Sequence, residues 1–489
     1  MKFRCAMSFS FTALFFLLTL KCAADPLADA SEMSEHGNFK GATAVLRAAL
    51  QDDKFSLGQR KKIKFQIDLL DRIRKDYPTT KQSLSAELAK SLKDFSRTEF
   101  EKWIKEGRFD SRVIDGKEYF LLTSVNNLYF RYPDLNSRLL SPKNESNEQN
   151  ERLKYARIIK EAARAQKTPY VLPYHFKCRM TVTAARNAAP AGEIIRAWLP
   201  IPRTYPFQTD FKLLGSSPAV KVLAPETSPI RSAYFEQIAQ KDRDTKFQVS
   251  YEYTAYGVCF KLLPNEIRPI DLKDPELEKF TREAPHVVFT GRIKQLADEI
   301  IGPEKNPLRK AKAFYDWIAD EIKYSYAREY STMTNISDYC FGHHYGDCGQ
   351  EALLFITLCR SQGIPARWQT GWNTFPGVKT IHDWCEIYLA PYGWIPVDPW
   401  AGIFAMRYCT ALSPDEQREL RDFYFGGLDQ YRMAANSDHS IPLDPPKTTM
   451  RSDDVDFQRG ELEWDKANIY FDKYTFDLVA EKTSMPSRE

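Results

Sequence analysis

Three residues of the types used in thiol-catalysed acyl transfer follow one another in a short stretch of this chain: Cys348, His382 and Asp398. In such chemistry a cysteine thiolate attacks a carbonyl carbon, a histidine moves the proton, and a carboxylate fixes the orientation of the histidine. Taken alone, the cysteine is more often a small buried residue and the other two a surface hydrogen bond. Their conjunction in one segment favours a cysteine enzyme.

The residues around Cys348 predict a helix with both ends marked. Asp347 is a favourable N-cap, Gln350 can complete a capping box, and Gly363 with Pro365 supplies the stop. Cys348 then lies on the first turn, where unpaired N–H groups and the helix dipole favour a thiolate. We therefore expect a lowered thiol pKa. The same N–H groups can receive an oxyanion.

The segments that carry His382 and Asp398 read as two short strands joined by a turn at residues 390–393. Directly opposed residues of an antiparallel pair have a constant index sum. Pairing His382 with Asp398 therefore also pairs Trp384 with Pro396. This register places the imidazole and the carboxylate side by side on one face, whereas a one-residue slip would separate them.

These motifs resemble those of the transglutaminase-like superfamily, whose core is of the papain type. The resemblance implies that Cys348 is the nucleophile, that His382 is the general base and acid, and that Asp398 orients the histidine. It also implies an α+β fold in which the nucleophile helix packs on an antiparallel sheet. The matching motifs, within about residues 310 to 402, are Gly346-Asp347-Cys348-Gly349, Gly363-Ile364-Pro365-Ala366-Arg367, His382-Asp383-Trp384 and Val397-Asp398-Pro399.

One residue departs from the pattern of the animal transglutaminases, which typically carry Trp after the nucleophile where this chain has Gly349. An exported chain also meets water in large excess over any amine unless its site excludes water. We therefore predict hydrolysis of a peptide or amide bond through a thioester on Cys348. Transfer of a glutamine acyl group to an amine, which crosslinks proteins, is the alternative. An exported binding protein that keeps the fold without catalysis is an alternative of another class.

Two tryptophans are candidates for contacts with the acyl group. Trp384 has the strand parity of His382, and Trp372 lies nearby in the sequence, although structural packing is the usual role of a tryptophan. The substrate is expected to be a protein or peptide. No cofactor or metal is expected, because the sequence has neither a phosphate-binding loop nor a familiar set of metal ligands.

The N-terminus predicts export. Lys2 and Arg4 precede the apolar stretch 9–20, which reads as a cleavable signal peptide over residues 1–24. Lipidation at Cys22 is the alternative, although Lys21 before it is unfavourable. The mature protein is expected in the periplasm or outside the cell, with no membrane-spanning segment. The formal net charge of +4 over 489 residues gives no argument for nucleic acid binding, and the sequence does not determine the oligomeric state.

A chain of 489 residues exceeds what one hydrophobic core usually organises, so several domains are expected. Residues 25–168 show helical periodicity, whereas residues 169–263 show the alternation of a small β-sandwich. Residues 264–402 hold the catalytic motifs, and residues 403–489 are a mixed extension expected to pack on that core. Cys178 and Cys259 are candidates for a disulfide, with free buried thiols as the equal alternative; Cys359 is expected to be a core thiol.

Overall fold

The structure is a computed structural model that describes residues 25–141 and 146–483. The predicted signal peptide and the alternative lipid site at Cys22 lie outside the described residues. Within those residues, none of the helices combines the length and the apolar character that a bilayer crossing requires. The described residues divide into two compact units, one of residues 25–70 with 113–117 and one of residues 71–112 with 118–141 and 146–483.

The first third of the chain is helical, as its 3.6-residue periodicity predicts. Side-chain caps mark several of the helix starts; for example, Asn38 accepts a hydrogen bond from the backbone N–H of Gly41, and Thr80 forms a capping box with Ser83. The elements are α1 (Pro26–Glu35), α2 (Phe39–Leu50), α3 (Leu57–Asp76), α4 (Lys81–Ser91), α5 (Arg97–Lys105), β1 (Ser111–Ile114), β2 (Lys117–Phe120), α6 (Ser124–Arg131) and α7 (Ser146–Gln166).

The next segment forms antiparallel strands, because its side chains alternate between apolar and polar. In the first strand Cys178, Met180 and Val182 are buried, whereas the intervening Lys177 and Arg179 are exposed. Cys178 and Cys259 are both free thiols. The strands are β3 (Tyr170–Ala184), β4 (Ile194–Pro200), β5 (Gln208–Ser217), β6 (Val222–Leu223), β7 (Ser232–Ile238) and β8 (Thr245–Cys259).

The segment with the catalytic motifs alternates helices and strands. It contains α8 (Pro275–Glu278), α9 (Gly291–Ile301), α10 (Pro307–Glu321), β9 (Lys323–Tyr324), α11 (Ile336–His343), β10 (Tyr345–Gly346), α12 (Cys348–Ser361), β11 (Ala366–Asn373), β12 (Thr380–Leu389), β13 (Gly393–Val397) and α13 (Pro399–Ile403). The predicted stop of α12 is present, with Gly363 at a φ of 74°. Helix α12 is buried around its whole circumference, and Cys359 is a buried core thiol.

The C-terminal segment completes the sheets of the segments before it. It contributes α14 (Pro414–Phe423), β14 (Gly427–Leu428), β15 (Arg432–Asn436), β16 (Glu461–Trp464), β17 (Ala467–Ile469) and β18 (Tyr474–Thr483). Strand β15 joins the core sheet, whose order is β13-β12-β11-β15. The other strands join the sandwich, so the extension does more than pack on the core.

The sandwich consists of two antiparallel sheets that share one apolar cluster, with side chains such as Met180 from one sheet and Phe235 from the other. One sheet has the order β14-β8-β3-β18 with β5 paired to β8, and the other has the order β17-β16-β4-β7-β6. The mixture of helices with antiparallel sheets confirms the predicted α+β class.

Candidate active site

The nucleophile candidate is the first residue of α12, as the sequence predicts. The Asp347 side chain accepts a hydrogen bond from the backbone N–H of Gln350 at 3.2 Å, and the Gln350 side chain accepts one from the N–H of Asp347 at 3.1 Å. The predicted capping box is therefore confirmed. The Tyr330 hydroxyl donates a further hydrogen bond to Asp347. Cys348 is half-buried, so part of its surface is open to a substrate.

His382 and Asp398 contact each other directly. The distance from His382 Nε2 to Asp398 Oδ2 is 2.8 Å, and both side chains are buried. Because Nε2 is engaged by the carboxylate, Nδ1 is the ring nitrogen that remains for a reacting group. Asp398 Oδ1 also accepts a hydrogen bond from the N–H of Ala401 and so caps α13. Asp398 therefore fixes both the histidine ring and the start of the next helix.

Arg432 was not singled out by the sequence, yet its guanidinium lies 2.9 Å from Asp398 Oδ2. Burial pushes the pKa of Asp398 upward, but His382 and Arg432 together outweigh it and lower that pKa to about 2. Burial lowers the pKa of His382, and Arg432 acts in the same direction, whereas Asp398 opposes both. The histidine is therefore neutral and the aspartate ionised at neutral pH.

The predicted hairpin register is wrong: the residue numbers of paired positions in β12 and β13 add up to two more than the predicted pairing of His382 with Asp398 requires. Cys385 pairs with Val397 and Leu389 with Gly393, so the turn is centred on Pro391 rather than on residue 390. The predicted sum would place Leu389 in the turn, whereas the structure keeps Leu389 paired with Gly393 and places Pro391, which has no N–H to donate, at the tip. The contact between His382 and Asp398 survives the shift because it is made diagonally, from the end of β13.

The thiol of Cys348 points to a residue that the sequence did not assign to the site. Its sulfur donates a hydrogen bond to Asp383 Oδ2 at 3.5 Å, and the Gln458 amide donates to Asp383 Oδ1 at 2.7 Å. Across the described part of the chain, no hydrogen bond joins the sulfur to His382. The structure thus brings His382 and Asp398 together and leaves Cys348 on Asp383.

The prediction of a lowered pKa for the Cys348 thiol is wrong. Burial raises the pKa of the Cys348 thiol well above its ordinary value, and the carboxylates of Asp383, Asp347 and Glu351 act in the same direction. Two of these carboxylates belong to α12 or its cap and the third to β12. The loss of water and these acidic groups raise the thiol pKa, so Cys348 rests as a neutral thiol.

Both tryptophans proposed as substrate contacts are core residues. Trp384 is fully buried among Tyr205, Phe207 and Leu428. Trp372 packs in the sandwich cluster, and its indole N–H donates to the carbonyl of Gln458. Neither offers an exposed ring for contact with an acyl group.

A sequence model described as the transglutaminase-like superfamily matches residues 294–399. Those residues run from α9 to the start of α13 and contain Cys348, His382 and Asp398. They belong to the transglutaminase-like superfamily.

Two curated relatives share parts of the chain that carries this transglutaminase-like core. An uncharacterised protein of Haemophilus influenzae is 24% identical over 283 residues, which cover 51% of this chain and 75% of the relative. The uncharacterised protein YebA of Bacillus subtilis is 26% identical over 130 residues, which cover 23% of this chain and 18% of YebA.

Two solved structures are also similar to parts of the chain. A proposed cysteine protease from Cytophaga hutchinsonii is 15% identical with a TM-score of 0.41, covering 65% of this chain and 93% of that one. The periplasmic domain of TgpA from Pseudomonas aeruginosa is 17% identical with a TM-score of 0.27, covering 53% of this chain and 95% of that one.

The packing around the start of α12 explains why residue 349 of the transglutaminase-like core is a glycine. A Cβ atom at this position would lie 2.3 Å from the Tyr330 hydroxyl oxygen and 2.9 Å from Asp383 Oδ2. No side chain fits there while Tyr330 contacts Asp347. The glycine after the nucleophile is therefore required by the packing around the helix start.

Proposed function

We propose that this chain is an exported, cysteine-dependent enzyme that hydrolyses a peptide or amide bond through a thioester on Cys348. The observation that carries the proposal is a half-buried cysteine as the first residue of a capped helix, inside a transglutaminase-like core that also holds a buried pair of His382 and Asp398. Apart from the N–H of Gln350, which bonds to the Asp347 side chain, the N–H groups of the first helical turn have no partners within the helix, so they can stabilise an oxyanion.

The proposed reaction has two steps. In the first, His382 Nδ1 takes the proton of Cys348, the sulfur bonds to the carbonyl carbon, and the C–N bond breaks as the histidine protonates the leaving nitrogen. In the second, water attacks the thioester, and His382 accepts its proton and returns it to the sulfur. Asp398 holds the ring throughout, because its contact with Nε2 leaves Nδ1 for both transfers.

The test is to incubate the purified protein with a peptide library and to look for an acyl group on Cys348 by mass spectrometry. Cys348→Ala and His382→Ala are expected to remove nearly all turnover, because nucleophile and base act as one unit. Asp398→Asn should be milder. Cys259→Ala is the matched control, since Cys259 is also half-buried and lies outside the core. Full turnover by correctly folded Cys348→Ala protein would refute the proposal.

Transfer to an amine is the second outcome of the same chemistry. Incubation with glutamine-containing peptides and a labelled primary amine measures both new peptide termini and amine incorporation. Incorporation without cleavage would replace hydrolysis by amine transfer and leave the role of Cys348 intact.

A non-catalytic binding protein is favoured by one observation, the contact of the Cys348 sulfur with Asp383 in place of His382. A partner that binds Cys348→Ala as tightly as it binds the unmodified chain, together with no acyl group on Cys348 from any peptide, would establish this alternative.

Export is supported by the sequence of residues 1–24, and cleavage is expected after Ala24. N-terminal sequencing of the protein from cell fractions tests this part. A mature chain that starts at a lipid-modified Cys22 would indicate the lipoprotein alternative, and an intact N-terminus would exclude both.

A further inference from the structure

The contact between Cys348 and Asp383 decides where the thiol proton lies at rest. A thiol carries one proton and donates it to one acceptor at a time, and that acceptor is Asp383 Oδ2 at 3.5 Å. His382 and Asp383 are consecutive residues of β12, so their side chains leave the strand in opposite directions. The sulfur therefore rests on the Asp383 side of β12.

Asp383 is held in place on its other side by a distant part of the chain. The Gln458 side-chain amide donates to Asp383 Oδ1 at 2.7 Å, and the side-chain oxygen Oε1 of Gln458 accepts a hydrogen bond from the N–H of Phe457 at 3.0 Å. Both Asp383 and Gln458 are buried. Their arrangement is fixed, and the carboxyl group cannot turn away from the sulfur without breaking a buried hydrogen bond.

The charged and titratable groups around this carboxyl are mostly acidic. Burial raises the pKa of Asp383 to about 8, and Asp347 acts in the same direction, whereas Arg459 opposes both. The groups that face Asp383 or Cys348 are Asp347 and Glu351 from α12 and its cap, Tyr324, Tyr330, and Asp456 and Arg459 from the segment before β16. One cation faces several carboxyl groups, so a thiolate next to them is electrostatically unfavourable.

We propose that Asp383 is a positioning residue that accepts the thiol hydrogen bond of Cys348 and holds the nucleophile as a resting thiol. The inference rests on the proposed function, because it concerns the nucleophile of that reaction. Turnover then begins when the sulfur exchanges Asp383 for His382 Nδ1, which accepts the proton as the C–S bond forms.

The test measures the reactivity of the thiol without any substrate. Cys348 and Cys259 are both half-buried, whereas the other cysteines among the described residues are buried. Iodoacetamide labelling at pH 9, where a carboxyl group with a pKa of about 8 is ionised, is quantified peptide by peptide. It therefore gives a rate ratio of Cys348 to Cys259 within one molecule. In Asp383→Asn this ratio should rise at least about tenfold, because removing a negative charge 3.5 Å from the sulfur lowers the thiol pKa by about one unit even in a medium as polar as water.

A ratio within a factor of two of the unmodified chain, or a lower ratio, would overturn the inference. Asp383→Ser tests the same point if the asparagine variant does not fold, since a hydroxyl also lacks the charge, and thermal unfolding verifies the fold of each variant.

Peptide turnover, measured in parallel, separates the two proposals. Absence of turnover by the unmodified chain, with the labelling ratio still rising in Asp383→Asn, would remove the proposed function alone. Cys348-dependent turnover with an unchanged labelling ratio would remove the role of Asp383 alone.

Discussion

Replacing Gly349 by alanine tests how tightly the start of α12 is packed. Alanine is favoured over glycine in a helix interior by about 1 kcal/mol, so helix propensity alone predicts a more stable protein. The structure predicts the opposite sign. The new Cβ would lie 2.3 Å from the Tyr330 hydroxyl and 2.9 Å from Asp383 Oδ2, closer than real Cβ contacts come. Tyr330 is itself buried and cannot swing into solvent without opening the core.

The cost has two parts. Overpacking a buried site costs about 1 to 3 kcal/mol. Displacing the Tyr330 hydroxyl also breaks its hydrogen bond to Asp347, the N-cap, and a bond to a charged acceptor contributes about 1.5 to 3 kcal/mol. After the gain in propensity is subtracted, Gly349→Ala should lower the free energy of unfolding by about 1.5 to 5 kcal/mol.

Denaturant unfolding followed by circular dichroism measures the change. Gly58→Ala is the matched control, because Gly58 is also the second residue of its helix and a Cβ there would have no atom within 4 Å. That variant should be as stable as the unmodified chain or slightly more stable. In a Tyr330→Phe background the cost of Gly349→Ala should fall by at least about 1 kcal/mol, since the nearest atom is gone. A Gly349→Ala protein at least as stable as the unmodified chain, or an equal cost in both backgrounds, would refute this packing argument.

Three further predictions concern the charges around the site. Burial raises the pKa of Asp383 to about 8 and that of Asp453 to about 7, so the folded state binds protons that the unfolded state releases. As the pH falls from about 8.5 to 6.5, the free energy of unfolding should therefore rise by up to about 1.4 kcal/mol per pH unit for each proton, and the melting temperature should rise with it. A flat profile would contradict these shifts. Arg432→Met leaves Asp398 without its buried cation and should lower the free energy of unfolding by about 3 to 5 kcal/mol in denaturant titrations; a loss below 1 kcal/mol would show that the ion pair is dispensable. Asp347→Ala removes the cap of α12 and should cost about 0.5 to 2 kcal/mol, so an unchanged melting temperature would show that the capping box contributes nothing.

The features that the sequence predicted correctly are those set by neighbours in the chain. The helix at Cys348, its capping box and its stop at Gly363 depend on residues within a few positions of one another. The contact of His382 with Asp398 was also predicted. The register was wrong, because Pro391 rather than residue 390 lies at the centre of the turn.

What the sequence did not predict depends on residues far away along the chain. Gln458 reaches Asp383 across 75 positions, and Arg432 approaches Asp398 from a separate strand. The thiol pKa was expected to be lowered because the helix dipole is a local property. Burial and the Asp383 carboxylate, which raise it, appear only once the chain is folded.

The pairing of β18 with β3 joins residues about 300 positions apart, and β16 pairs with β4 over a comparable span. The transglutaminase-like core is thus inserted, in topological terms, between the two halves of the sandwich. Contacts of such long sequence separation form late, because a long loop must close before they stabilise anything. Gln458 lies just before β16 and arrives with these strands, so the surroundings of the Cys348 thiol are assembled only after nearly the whole polypeptide has been synthesised. An incompletely translated chain can form α12 but cannot place Gln458 against Asp383.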